Sequence, residues 1–531
     1  MELASFDSIN RKPVLARNLI ATSQPLASQA GAAAFARGGN AIDAVLAAAI
    51  TLTVVEPVMN GIGGDAFAIL WDGKQLHGMN GCGRSPARWN LERFQGLSGM
   101  PKTGWDTVTV PGQVAAWADL SSRFGALPFE DLFVDAIRHA MDGFPVSPVI
   151  AQQWHQATLD LAKEPGFEVF MPHGRAPKVG EIWRFSDQAV TLREIARTGG
   201  RSFYEGRLAL CIDAFAAQCG AALTAADLAA HQTEWVEPIG LDFKDVTVHE
   251  IPPNGQGIAA LIALGIIKHL PYDQTKPGSA ERAHLEIEAM RLAFADLHEH
   301  VGDPQTMVVH VHEMLDEDYL RQRASLIDLK RAQQYPPGQP SSGGTVYLCA
   351  SDADGRMISY IQSNFKGFGS GVVVPHTGIS LHNRGMAFTL KPGHPNVVGP
   401  NKRPLHSIIP AFMTRNGKPH MAFGVMGGNM QAQGHLQMTL RHVLEGLNPQ
   451  AASDAPRWRI NDAGDLIMEA QWPASVIETL KGMGHDPQVL PINSLEFGSA
   501  QLIAQLPAHA GETVAYVGGS DTRRDGQVIG Y

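Results

Sequence analysis

The chain has 531 residues, of which 44% are hydrophobic and only 18% charged, with 55 glycines and a formal net charge of −10. This is the composition of a well-buried globular chain with many tight turns, and it excludes a disordered one. The mild acidity, with no run of Lys or Arg, argues against nucleic acid or an anionic membrane as a partner.

The first eight residues, Met1–Ser8, lack a basic stretch followed by an apolar core, so no signal peptide is expected. The longest apolar run, Ala44–Val55, is about a dozen residues, too short to cross a bilayer. Four cysteines (Cys82, Cys211, Cys219, Cys349) show no C-x-x-C spacing. They fit a reducing compartment better than a disulfide framework or a zinc site, and a cytoplasmic protein is expected.

In chain order, residues 20–37 read as a short strand and a helix, with Ser23 or Ser28 as cap and Gly38-Gly39 as stop. Asn40–Val54 is a second, alanine-rich helix. Gly61-Ile62-Gly63-Gly64 has neither the spacing nor the lysine of a nucleotide loop. Ala66–Trp71 is a buried strand, and the Asp72-Gly73-Lys74 turn returns it to a partner at Gln75–Met79. Helices are expected at Glu130–Met141, Val190–Thr198 and Arg207–Cys219. A loop at 252–257 leads into an apolar helix at 258–269, and Glu281–His298 reads as a long helix on one sheet face. His310-Val311-His312 reads as strand-like, which would put both imidazoles on one face near Glu313. No third ligand is evident, so no metal is expected. Residues 325–344 read as a mobile loop.

That loop ends at Gly344-Thr345. Beyond it, Val346–Ala350 and Met357–Gln362 flank Asp-Ala-Asp-Gly, which signals a hairpin. Folding about residue 354 sets Ser363 opposite Thr345. A threonine at a strand start behind Gly-Gly suggests a nucleophile that attacks the Gly344 carbonyl and becomes the first residue of a new chain. Its α-amine, with a reference pKa of about 7.7–8, then serves as base for its own hydroxyl. The same residues also suit an ordinary hairpin behind a glycine loop.

Further motifs bear on that choice. Gly344-Thr345, the turn from Asp352 and Phe368-Gly369-Ser370-Gly371 resemble the γ-glutamyltransferase family of N-terminal nucleophile hydrolases. So do Gly38–Ala44, Val55-Glu56-Pro57 with Gly61–Gly64, Val110-Pro111-Gly112, Glu288–Asp296 with Gly302-Asp303-Pro304, Arg403-Pro404-Leu405 and Gly427-Gly428, all in the family's order. The resemblance implies a four-layer αββα sandwich of α/β (α+β) type. It also implies cleavage at Gly344–Thr345 into fragments 1–344 and 345–531, which stay together as a heterodimer and allow a dimer of heterodimers. No cofactor is implied. The matching positions would make Thr345 the nucleophile, Ser363 its hydroxyl neighbour, Gly427 and Gly428 the oxyanion hole, and Arg84 and Ser407 the grip on a substrate carboxylate.

The departures are informative. Where the family holds a substrate's α-ammonium with Gln, Asp and a third contact, this chain has Arg384, Ala387 and Phe365. One of two adjacent serines is His406, while Ser407 remains. A cation site has lost its anion and gained a guanidinium, with Phe365 expected to shorten the pocket. A γ-glutamyl ammonium there would cost several kcal/mol if buried unpaired. The expected substrate is therefore a small carboxylate-bearing amide without an α-amino group. Two branches of the family fit, the oxamate amidohydrolases and the acylases that remove glutaryl groups from cephalosporin nuclei. The smaller pocket favours oxamate, hydrolysed to oxalate and ammonia. A γ-glutamyl hydrolase acting on glutathione and an uncleaved inactive scaffold are the alternatives.

Overall fold

The computed structural model describes residues 11–333, 335, 344–492, 494–507 and 513–531. Most of the glycine- and proline-rich lead-in to Thr345, and the N-terminal octet, lie outside them.

Two seven-stranded antiparallel sheets form the centre. The first runs Gln527–Gly530, Leu19–Thr22, Gly344–Ser351, Met357–Phe365, Asp65–Trp71, Leu76–Gly81, Glu234–Val236. The second runs Val14–Ala16, Tyr516–Ser520, Ser499–Gln505, Lys418–Met426, Ala411–Arg415, Val246–Glu250, Ile239–Phe243. Their facing sides interleave in one apolar layer that includes Phe67, Ile69, Tyr347, Ile361, Phe412 and Ile503. The strand pattern explains this. In Met357–Phe365 every residue is buried, so successive side chains feed two cores. Ile358 and Tyr360 point to the outer helices, Met357 and Ile361 to the other sheet.

Helices cover both outer faces, giving the four-layer αββα sandwich that the resemblance implies. On the first sheet lie Pro25–Ala36 and Ala41–Val55. All fifteen residues of Ala41–Val55 are buried, and Asn40 caps it through Ile42 and Asp43 amides. On the second sheet lie Gly257–Lys268, Ala280–His300 and Met430–Val443. Among the described residues no helix is long and apolar enough to cross a membrane.

Two local expectations are corrected. The cap of the first helix is Gln24, whose Oε1 accepts from Leu26 N at 2.6 Å, because Ser23 is drawn away to Glu56 and Ser28 lies within the helix. His310-Val311-His312 is not a strand. His310 is the N-cap of the short helix Val311–Met314, since Glu313 reaches back to its backbone N–H at 2.7 Å.

Candidate functional site

The hairpin forms as the spacing predicts, with Val346 opposite Gln362 and Ser351 opposite Met357. At its open end the register slips by one, Gly344 pairing with Phe365, so Thr345 sits in an irregularity rather than squarely across from Ser363. The hydroxyls still meet: Thr345 Oγ1 donates to Ser363 Oγ at 3.3 Å. Ser363 Oγ also accepts from Phe365 N at 2.7 Å. The strand runs through Gly344 and Thr345 in the uncut chain, and the Thr345 side chain is buried.

Gly427 and Gly428 join the strand Lys418–Met426 to the helix Met430–Val443, at φ of +123° and +64°. A Cβ on Gly427 would lie 2.9 Å from Gly498 Cα, so backbone packs on backbone here and any side chain is excluded. Gln256 Nε2 donates to the Gly428 carbonyl at 2.9 Å and also to the Ser407 carbonyl, tying the glycine turn to the next segment. The first turn of the helix brings in Gln431, which sequence reasoning missed. Its Nε2 donates to Thr345 Oγ1 at 3.2 Å, and its Oε1 accepts from Ile409 N at 2.9 Å.

Arg384 is wholly buried. Its Nη1 donates to Ser407 Oγ at 2.9 Å and its guanidinium lies 4.2 Å from the Phe365 ring centroid. Among the described residues no carboxylate pairs with it, and its Nε and Nη2 have no hydrogen-bond partner. Burial lowers its pKa to about 10, with Asp65 opposing, so it remains a cation at neutral pH. Phe365 holds a φ of +79°, rare for an aromatic residue, and that backbone lays its ring beneath the guanidinium.

Asp65 organises the floor. Its Oδ1 accepts from Gly112 N at 3.0 Å and Gly83 N at 3.3 Å, while its Oδ2 faces His406 Nε2 at 3.1 Å and His382 Nδ1 at 3.3 Å. Burial alone would raise this carboxyl, but the two imidazoles outweigh it and hold the pKa well below the carboxylate range. His406 goes the other way: burial, helped by Arg384, pushes it down to about 3, so it is neutral. With Nε2 turned to Asp65 and Nδ1 accepting from Ile408 N, both ring nitrogens of His406 are engaged within the protein. His435 likewise pairs with Glu250 at 2.6 Å.

An open cleft of about 1030 Å³ adjoins these groups, lined by Gln256, Phe365, Phe388, His406, Ser407 and Asn429 among others. Its lining includes neither Thr345 nor Arg384, and Arg84 is not part of it either. It lines a separate depression with His231 and Arg403, and donates to Asp303 at 3.0 Å, to the Asn401 carbonyl at 3.1 Å and to Glu234 at 3.4 Å. Two protein carboxylates occupy the fork that the resemblance assigned to a substrate. The structure thus brings together Thr345 with Ser363 and Gln431, and Arg384 with Phe365 and Ser407. Gln256 links the latter group to Gly428.

Among the described residues, two groups have donor atoms within 4.8 Å of one another, Asp65/Cys82/His406 and His284/Glu288/His485. The first lies beside the Arg384 cation, and burial raises its thiol, which disfavours a metal there. In the second, Glu288 is held by Arg291 at 2.9 Å and by Gln333 N at 3.0 Å.

A family profile for gamma-glutamyltranspeptidase matches residues 27–531. The chain is 33% identical to the glutathione hydrolase-like YwrD proenzyme of Bacillus subtilis, covering 98% of this chain and 100% of that one. It is 34% identical to the oxamate amidohydrolase proenzyme of Klebsiella pneumoniae, covering 95% and 97%. The crystal structure of cephalosporin acylase from Bacillus halodurans superposes with a TM-score of 0.93 at 44% identity, covering 98% of this chain and 97% of that one.

Proposed function

The chain belongs to the gamma-glutamyltranspeptidase family of self-processing amidohydrolases, and from that premise we propose that it cuts itself between Gly344 and Thr345 and then hydrolyses a carboxylate-bearing amide without an α-amino group. Oxamate is the first candidate, giving oxalate and ammonia in a cytoplasmic setting. The observation that carries this reading is the buried Arg384 guanidinium, stacked on Phe365 and bonded to Ser407, with two nitrogens unsatisfied. A substrate carboxylate would supply both the missing acceptors and the missing charge. An ammonium in the same place would face a like charge in a desolvated site.

In the proposed reaction Thr345 Oγ1 attacks the amide carbonyl while its own α-amine takes the hydroxyl proton. The Gly427–Gly428 turn offers backbone N–H groups to the oxyanion, and such donors are typically worth about 3–4 kcal/mol. The proton passes to the leaving amine, and water then hydrolyses the acyl-threonine. Arg384 and Ser407, rather than Arg84, hold the carboxylate, and His406 supports them as a neutral ring fixed by Asp65. Fragments 1–344 and 345–531 remain one heterodimer.

A second reading, hydrolysis of a longer acyl chain or a bulkier amine, draws support from the roomy cleft and the 44% identity to a cephalosporin acylase. Purified protein given oxamate, a glutaryl amide and γ-glutamyl-p-nitroanilide tests both. Ammonia from oxamate supports the first reading and glutarate release the second. Turnover of the γ-glutamyl compound alone would sink the carboxylate-receptor argument.

A further inference from the structure

We infer that Gln431 is a further catalytic residue, which donates its amide N–H to Thr345 Oγ1 and steadies that oxygen whenever it leaves a carbonyl carbon. The inference rests on Thr345 being the nucleophile, as proposed above, but not on any particular substrate.

The geometry is specific. A glutamine amide can present either its oxygen or its nitrogen. Here Oε1 accepts from Ile409 N at 2.9 Å, so the nitrogen end faces Thr345 at 3.2 Å. The side chain is fully buried, which makes an alternative orientation expensive, because Ile409 N would then lose its acceptor. Gln431 stands in the first helical turn after the glycines, its own N–H donating to the Gly428 carbonyl at 3.1 Å. One rigid segment therefore carries both the glycine turn and a donor to the nucleophile. On the other side Thr345 Oγ1 donates to Ser363 Oγ at 3.3 Å. The hydroxyl proton is thus directed to Ser363, and one Oγ1 lone pair is held by Gln431.

The chemistry follows from that lone pair. In self-cleavage Oγ1 attacks the Gly344 carbonyl: the Oγ1–C bond forms, the C–N bond to Thr345 breaks, and the hydroxyl proton ends on the new α-amine. Water then adds to the ester carbon, the C–Oγ1 bond breaks, and a proton from that water returns to Oγ1. In the second step Oγ1 departs carrying negative charge, and an N–H already aimed at it lowers that barrier. The same step recurs when an acyl-threonine is hydrolysed in turnover. Before attack, a donor on Oγ1 makes it less nucleophilic, so the gain falls on hydrolysis of the ester rather than on its formation.

The test follows self-cleavage of the full-length chain by denaturing electrophoresis, with and without hydroxylamine, which splits an ester at Thr345. In Gln431→Met the donor is lost while side-chain length is kept. Fragment formation is expected to slow about tenfold to a hundredfold, with hydroxylamine restoring it because the ester accumulates. Gln431→Glu keeps an acceptor for Ile409 N and donates only when protonated. Its cleavage rate relative to the parent is expected to rise as pH is lowered, and this variant decides the matter if the methionine variant does not fold. Parent-like cleavage in a folded Gln431→Met, or a Gln431→Glu whose relative rate ignores pH, would overturn the inference. A parent chain that never cleaves would instead sink the reading of Thr345 itself.

Discussion

The guanidinium of Arg384 lies 4.2 Å over the ring of Phe365, and both side chains are fully buried. A cation placed this way without a paired carboxylate is costly to the fold and useful to an anionic ligand. Arg384→Gln is expected to raise KM for a carboxylate-bearing amide about tenfold to a hundredfold, the scale of one lost charge-assisted bond pair. Its melting temperature should be no lower than the parent's. Steady-state kinetics and thermal melts on one preparation check both halves, and an unchanged KM would remove Arg384 from the site.

Thr345→Ala should abolish both fragment formation and amide hydrolysis, because nucleophile and base reside on the same residue. Thr345→Ser should retain both at reduced rate. Mass spectrometry of the chains after prolonged incubation reads the outcome directly, with fragments 1–344 and 345–531 expected from the parent.

Gly427→Ala places a methyl 2.9 Å from Gly498 Cα at a φ of +123°, which the backbone has to move to accept. Moving it displaces the amides proposed to meet the developing oxyanion. A fall in turnover of about a hundredfold or more is expected. Equal kcat in this variant would show that the turn plays no part in the chemistry.

Burial, assisted by Arg291 and His284, lowers His485 to about pKa 3. An unfolded histidine takes its proton near 6.5. Between those values the unfolded chain binds the extra proton, so this residue's contribution to stability falls as pH falls, by up to about 1.4 kcal/mol per pH unit. His485→Asn, which loses the 2.8 Å contact to His284, should therefore be less stable than the parent at pH 7.5. The gap in melting temperature should narrow progressively toward pH 4, and a gap constant with pH would contradict the assignment.

Much of this architecture was legible because it is local. The Asp-Ala-Asp-Gly turn, the apolar runs beside it and the alanine-rich stretch after Asn40 each act within a few residues, so hairpin and helix fall where the pattern puts them. The neighbourhood of Thr345 was legible to within one residue, the register slipping between Gly344 and Val346 at the hairpin's open end, away from its turn. Arg384 and Phe365, both departures from the family pattern, come together with the retained Ser407. Arg84 does not join them, because its acidic neighbours Glu234 and Asp303 are 150 and 219 residues away in sequence and no spacing announces them. Asp65, Gln256 and Gln431 were missed for the same reason. A buried amide or carboxylate reveals its role only through partners on other strands.

The strand that begins at Gly344 lies between Met357–Phe365 on one side and Leu19–Thr22 on the other, and Leu19–Thr22 is bordered in turn by Gln527–Gly530, nearly the chain's last residues. Backbone scission at 344/345 would thus add two termini to a body that has no seam. Dilution, which separates ordinary complexes by mass action, would leave these polypeptides associated, and halves produced from separate genes would each expose unpaired strand edges and tend to aggregate before meeting.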